Sequence, residues 1–231
     1  MEKVVETPRS FLPQVARCHR EAFGDSLASA LGRTYVCHML SWYLSSPKTF
    51  IFHVADENNI CTGYCGGMVS DGTLNTGSAS GMAQYTFWRG IWAFLTHPWV
   101  VFHPEVRAKL PLLWKNLLMK LGLRPRVHFS PEKKKEMARD PHVGLVVIGV
   151  DPKFQGRGIG SLLLQEFERR AALLGIPKMQ LTVRSDNAQA IRVYERNGWV
   201  REREAEGSLS MVKRIDLGEQ RATEQTLVHA G

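Results

Sequence analysis

The apolar positions of this chain change period several times, and each change marks an element. KVVET (3–7) has the run of a short first strand. Over 9–23, Leu12, Val15, Ala16 and Cys18–Ala22 give a partial helical stripe, and a second helix is predicted over about 27–45. KTFIFHVAD (48–56) and ICTGYCGGMVS (60–70) read as strands, with the intervening ENN suited to a hairpin turn. Residues 71–83, DGTLNTGSASGMA, are small and polar and read as a loop. The stretch that follows is aromatic, basic and helical in pattern, with Pro98, Pro104 and Pro111 as breakpoints.

Regular alternation of strand and helix returns at 142. HVGLVVIGV is a strand of the buried type. Residues 157–174 predict a helix with Leu162, Leu163, Phe167, Ala171 and Leu174 on one face, ended by Gly175 and barred from continuing by Pro177. In KMQLTVRS, Met179, Leu181 and Val183 point one way and Gln180, Thr182 and Arg184 the other. DNAQAIRVYERNG (186–198) is a helix that Ser185 or Asp186 can cap and Gly198 can close. WVREREAE and SLSMVKRI then form a hairpin, and 217–231 is a polar tail expected to fray. This organisation is one domain over 1–216, with 71–141 as an insertion.

Charge sharpens the insertion. The chain carries a net +8, and 71–141 holds 11 Lys/Arg against 5 Asp/Glu, so six of those eight charges lie there. It also holds four of the six tryptophans: Trp88, Trp92, Trp99 and Trp114. A basic surface favours phosphates, polyanionic cofactors or acidic headgroups. The basic residues interleave with Leu and Trp at helical spacing, so nucleic acid is not the expected partner. Cys18, Cys37, Cys61 and Cys65 match no zinc or redox spacing, and no metal site is expected. Cys61 and Cys65, four apart in a strand, are expected on one face. Reduced cysteines, a start without a signal pattern and the lack of a spanning apolar run fit the cytoplasm.

The candidate chemistry begins at VDPKFQGRGIGSLLL (150–164): strand, short loop, helix start. Unpaired N–H groups and the positive end of the helix dipole meet there, and glycines let several N–H groups converge on one anion. A pyrophosphate is the natural guest. A Walker loop needs Lys-Ser/Thr after its last glycine, and none follows. A Rossmann fingerprint needs its glycines directly after the strand, yet Asp151 to Gln155 intervene and Ser161 takes the third glycine's place. A glycine turn that only tightens strand–helix packing is the plain alternative.

The string Gln155-Gly156-Arg157-Gly158-Ile159-Gly160 resembles motif A of the GNAT superfamily of acyl-CoA-dependent N-acyltransferases. NAQAIRVYERNGW (187–199) resembles that family's motif B, about 30 residues on and in the same strand–helix order. The resemblance is sharp over 142–214, loose over 1–70 and absent over 71–141. It implies an α/β fold with a mixed, mostly antiparallel central sheet flanked by helices, and a helical insertion before the motif A strand. It implies acetyl-CoA as co-substrate. Ile148, Gly149 and Val150 would meet the pantetheine arm. Gln155, Gly156, Arg157, Gly158, Ile159, Gly160 and Ser161 would cradle the pyrophosphate, and Asn187 would contact the cofactor unless it only caps its helix. Tyr194 lies seven residues after Asn187, hence on the same face. It would be the general acid for the leaving thiolate, unless it only packs the core. A tyrosine stays protonated at neutral pH and can donate to a thiolate.

A glutamate that some relatives carry five residues before the motif B Asn is here Thr182, which cannot act as a base. His53, His97, His103, His128 and His142 remain open candidates, as do a carboxylate in the insertion or the N-terminal helices and ordered water. The resemblance implies an N-acetyltransferase acting by direct attack of an amine. A small amine or amino sugar is the first expectation for the acceptor, and a protein N-terminus or lysine the second. A non-catalytic acyl-CoA-binding module is the other class. For the insertion, three readings stand: a lid over the acceptor, a homodimer surface, or a contact through 84–121 with the inner membrane face.

Overall fold

The computed structural model describes residues 3–72, 78–104, 106 and 140–216. The expected tail at 217–231, most of the insertion beyond 104 and His128 lie outside the described residues.

Seven strands form one open sheet in the order β1-β2-β3-β4-β5-β7-β6. They are β1 Val4–Glu6, β2 Thr49–Ala55, β3 Cys61–Ser70, β4 His142–Val150, β5 Lys178–Arg184, β6 Val200–Ala205 and β7 Ser208–Arg214. Every neighbouring pair is antiparallel except β4 and β5. The helices are α1 Leu12–Ala22, α2 Leu27–Ala30, α3 Arg33–Ser41, α4 Ser78–Thr96, α5 Ile159–Leu173 and α6 Ala188–Arg196. This is the mixed, mostly antiparallel sheet that the two motifs imply.

Two cores lie on opposite faces of the sheet. Helices α5 and α6 bury Ile159, Leu163, Phe167, Ala171, Ile191 and Tyr194 against Val143, Leu145, Met179 and Leu181. Helices α1 and α3 bury Val15, Cys18, Val36 and Leu40 against Ile51, Cys61, Tyr64 and Met68. The stripe expected on α5 shifts slightly. Ile159 and Leu164 are buried, and Leu174 is exposed because the helix has closed at Gly175, whose φ is +68°.

Three local expectations change. The helix expected over 27–45 breaks at Gly32, whose φ of +89° ends one helical segment and starts the next. The loop expected over 71–83 gives way at Ser78 to α4. A side chain at position 81 would crowd the Trp42 indole at 3.3 Å, so Gly81 lets α4 lie close against the α3 end of the domain. That packing overrides the polar composition. Cys61 and Cys65 belong to opposite cores, because a bulge at Thr62 adds a residue between them and reverses the alternation.

Candidate active site

The cleft begins where the sheet opens. β4 and β5 pair only over Val143–Leu145 and Met179–Leu181. A second bulge, at Val146, reorients β4 just beyond that point. From there to Val150 the β4 backbone keeps β3 on one side and leaves its β5 side without a strand partner. α5 and α6 flank this gap. The resulting cleft, of about 460 Å³, is lined by β4, the glycine loop, the first turn of α5, one face of α6 and the end of α1.

The glycine loop is built for close approach. Gly156 and Gly158 have φ of +79° and +84°, and a Cβ on either would meet no protein atom within 4 Å. Gly158 is the N-cap residue of α5, so the unpaired N–H groups of that first turn open at the cleft. These features fit a pyrophosphate.

The structure brings Ile148, Gly149, Val150, Gln155, Gly156, Gly158, Ile159, Gly160, Ser161, Asn187 and Tyr194 to one cleft. Arg157 is the exception. Its guanidinium lies over the Phe154 ring, 5.1 Å from the centroid, and it does not line the wall. Gln155 donates from Nε2 to the Val150 carbonyl at 3.3 Å, closing the loop against the strand that precedes it. Asn187, rather than Ser185 or Asp186, caps α6: its Oδ1 accepts from the Ala190 N–H at 3.1 Å. Capping and lining the cleft therefore coexist in one residue. Tyr194 is buried and packs against Trp199 with ring centroids 6.2 Å apart. Burial pushes its hydroxyl well above the usual tyrosine range, so it stays protonated throughout the working pH.

Sequence reasoning missed part of the lining. Gln189, Ala190, Val193 and Arg196 share α6 with Asn187 and Tyr194, and helical spacing from those two residues was the signal for them. Ala22 and Phe23 had no such signal. They arrive from the end of α1, and only because position 149 is glycine: a Cβ there would lie 2.9 Å from both the Phe23 and Tyr64 rings and 3.3 Å from Ala22.

None of the candidate base histidines among the described residues, His53, His97, His103 and His142, lines the cleft. His53 bonds Thr7 at 2.9 Å and stacks on Phe11, His97 bonds Thr96, His103 bonds the Asp25 carbonyl and His142 bonds the Asp140 carbonyl. His19 stands nearer: its Nδ1 is hydrogen-bonded to the Tyr64 hydroxyl and its ring packs on Phe23. Burial pushes both His19 and His53 down to about 4. Each stays neutral in the fold while the unfolded chain takes up a proton near 6.5. Their contribution is therefore complete above 6.5 and is lost as pH falls towards 4, with a slope of up to about 1.4 kcal/mol per pH unit for each histidine. Urea unfolding at pH 7 and pH 4.5 should show this loss, and His19→Gln and His53→Gln should each flatten it. An unchanged acid limb in both variants assigns the loss to carboxylates.

A family model described as the acetyltransferase (GNAT) family matches residues 123–199, a range that holds both motifs. Among solved structures, the chain is similar to the PaiA N-acetyltransferase of Thermoplasma acidophilum in complex with coenzyme A. The identity is 11%, the TM-score 0.54, and coverage is 93% of this chain and 99% of that one. It is also similar to Naa20 of Chaetomium thermophilum in complex with a bisubstrate analogue, at 17% identity and a TM-score of 0.52, covering 95% and 90%. A third is the ribosomal-protein-S18-alanine N-acetyltransferase of Escherichia coli, at 13% identity and a TM-score of 0.50, covering 94% and 95%. At these identities the likeness speaks for the fold alone. The family match over residues 123–199 and the fold shared with these structures agree in likening the chain to the GNAT acetyltransferases.

Proposed function

We propose that this acyltransferase moves the acetyl group of acetyl-CoA directly to the amine of a small acceptor, an amino sugar or another small amine, with Tyr194 as the general acid. One observation carries the reading: the β4 backbone, the glycine loop and Tyr194 line the same cleft. A thioester laid along Ile148–Val150 meets the N–H groups that the splayed strand leaves without a strand partner, and these polarise its carbonyl. The loop at Gly156–Ser161 holds the diphosphate. Asn187 and Tyr194 stand on the opposite wall, where the sulfur departs, and Tyr194 donates its proton to the thiolate. Cys61 and Cys65 lie in the two cores and do not line the cleft, which supports direct transfer rather than an acyl-enzyme.

No carboxylate or imidazole stands among the described lining residues, and Thr182 is an exposed hydroxyl on β5. The acceptor therefore enters as the free amine or passes its proton to water. The rate of CoA release should rise about tenfold per pH unit up to the acceptor's own ammonium pKa, with no break near 6.5. Continuous assay of CoA release with amino sugars, polyamines and peptides bearing free N-termini tests both points. A plateau above about 6.5 assigns a histidine base instead. Acetyl-CoA binding without release above background, for every acceptor, leaves a binding module rather than an enzyme.

A further inference from the structure

Among the described residues that line the cleft, Arg196 alone carries a charge. It is the last residue of α6, exposed, and it makes no hydrogen bond or ion pair among the described residues. The acid beside it on the chain is taken: Glu195 accepts from Arg201 Nε at 2.8 Å. The mount is nonetheless firm. Asn197, the next residue, donates from Nδ2 to the Ser161 Oγ at 3.2 Å and to the Val193 carbonyl at 2.8 Å. Lys213 Nζ donates to the Asn197 carbonyl at 2.7 Å. These bonds fix the end of α6 beside the first turn of α5, next to the glycine loop. Gln189, Val193 and Arg196, four and three residues apart, form one stripe of α6 along the cleft. One guanidinium fixed on the wall of an otherwise uncharged cleft calls for an anion.

We propose that Arg196 binds the 3′-phosphate of coenzyme A, so that the cleft distinguishes the coenzyme from its 3′-dephospho form. The inference rests on the cleft's being the coenzyme site. There the diphosphate already has its donors, the N–H groups of the glycine loop and of the first turn of α5. Arg157 adds nothing to the wall, since its guanidinium lies over the Phe154 ring. Coenzyme A carries one phosphate more, a monoester on the ribose. Counted from the thioester, it lies beyond the diphosphate and therefore towards solvent rather than deeper along β4. Arg196 meets both conditions of place: it is exposed, and the Asn197–Ser161 bond holds it beside the turn that takes the diphosphate. It also meets the condition of chemistry. A phosphomonoester carries a charge of about −1.5 to −2 at neutral pH and offers three acceptor oxygens. The planar guanidinium can donate to two of them at once.

Calorimetric titration of the full chain with coenzyme A and with 3′-dephospho-coenzyme A tests the inference independently of catalysis. Wild type should bind coenzyme A about tenfold more tightly, and the advantage should shrink at about 0.5 M salt. Arg196→Gln should lose about tenfold in affinity for coenzyme A and stay within about twofold of wild type for the dephospho form, which removes the preference. Arg196→Lys, which keeps the charge without the fork, should keep part of it. Melting curves of both variants should match wild type, because the side chain is exposed and unpaired among the described residues. Wild type that binds the two ligands equally overturns the proposal. So does an Arg196→Gln variant that loses the same factor for both, which assigns the guanidinium to the diphosphate, or one that binds both like wild type and shows only a raised KM for the acceptor. Wild type that binds neither ligand overturns the coenzyme reading of the cleft, and this inference with it.

Discussion

Tyr194→Phe should lower kcat for CoA release by about 10²–10³-fold and leave the affinity for acetyl-CoA within about threefold, because general acid catalysis contributes in that range. The ring does the packing: it is buried against Trp199 within the α5–α6 core, and phenylalanine keeps that contact. What is lost is the one hydroxyl that faces the departing thiolate in the proposed transfer. Burial holds that hydroxyl protonated far above neutral pH, so wild type should show no alkaline break from Tyr194 below about pH 10. The loss in the variant should then be constant over pH 6–9. Steady-state assays for kcat and KM, equilibrium binding of acetyl-CoA and a melting curve separate the roles. A variant within threefold of wild type in kcat shows that water supplies the proton. A variant that instead melts far below wild type gives Tyr194 a structural part.

Arg17→Met should cost about 3 kcal/mol of stability, the largest loss expected from one substitution on this chain outside the apolar cores. Asp151 is fully buried, with its side chain 1% exposed, and Arg17 Nη1 donates to its Oδ2 at 3.0 Å. Arg17 Nη2 also donates to the Cys61 carbonyl at 2.7 Å. Removing the guanidinium strands a carboxylate in the interior. The expected loss is at the low end of the range for a buried pair because a third of the Arg17 side chain reaches solvent. For a chain of this length it should appear as a melting temperature lower by about 6–12 °C. The same pair bears on the cleft. Asp151 directly follows β4, its N–H bonds the Thr62 carbonyl at 2.9 Å, and its Oδ1 accepts from the Lys153 N–H at 3.1 Å. It therefore pins the turn that leads into the glycine loop, and acetyl-CoA affinity should fall with stability. Combining Arg17→Met with Asp151→Leu should recover part of the loss, since the stranded charge is gone. A double variant no better than Arg17→Met alone argues against the ion pair as the cause.

The two predictions differ in where their evidence comes from. Tyr194 was legible from its spacing to Asn187 and from the motif that contains both, because an α-helix turns spacing into a shared face. The same holds for Gly156 and Gly158, whose positive φ values only glycine adopts without strain. Arg17 and Asp151 lie 134 residues apart, and nothing in either local pattern marks them as partners. Phe23 reaches the cleft through a gap left by Gly149, another contact between distant segments.

Local periodicity determined most of the strands and the helices on either side of the cleft, and the family resemblance supplied the pair of motifs whose residues line it. Only the tertiary structure decided how the sheet opens, since a bulge at Val146 and the short pairing of β4 with β5 depend on which strand lies beside which. It also decided that Cys61 and Cys65 part company, that α4 starts inside a polar stretch, and that its tryptophans face outward. The physical reason is common to all of these. A period reports which side of an element is apolar, but bulges, close approaches at glycine and buried ion pairs are settled by the neighbour the fold supplies.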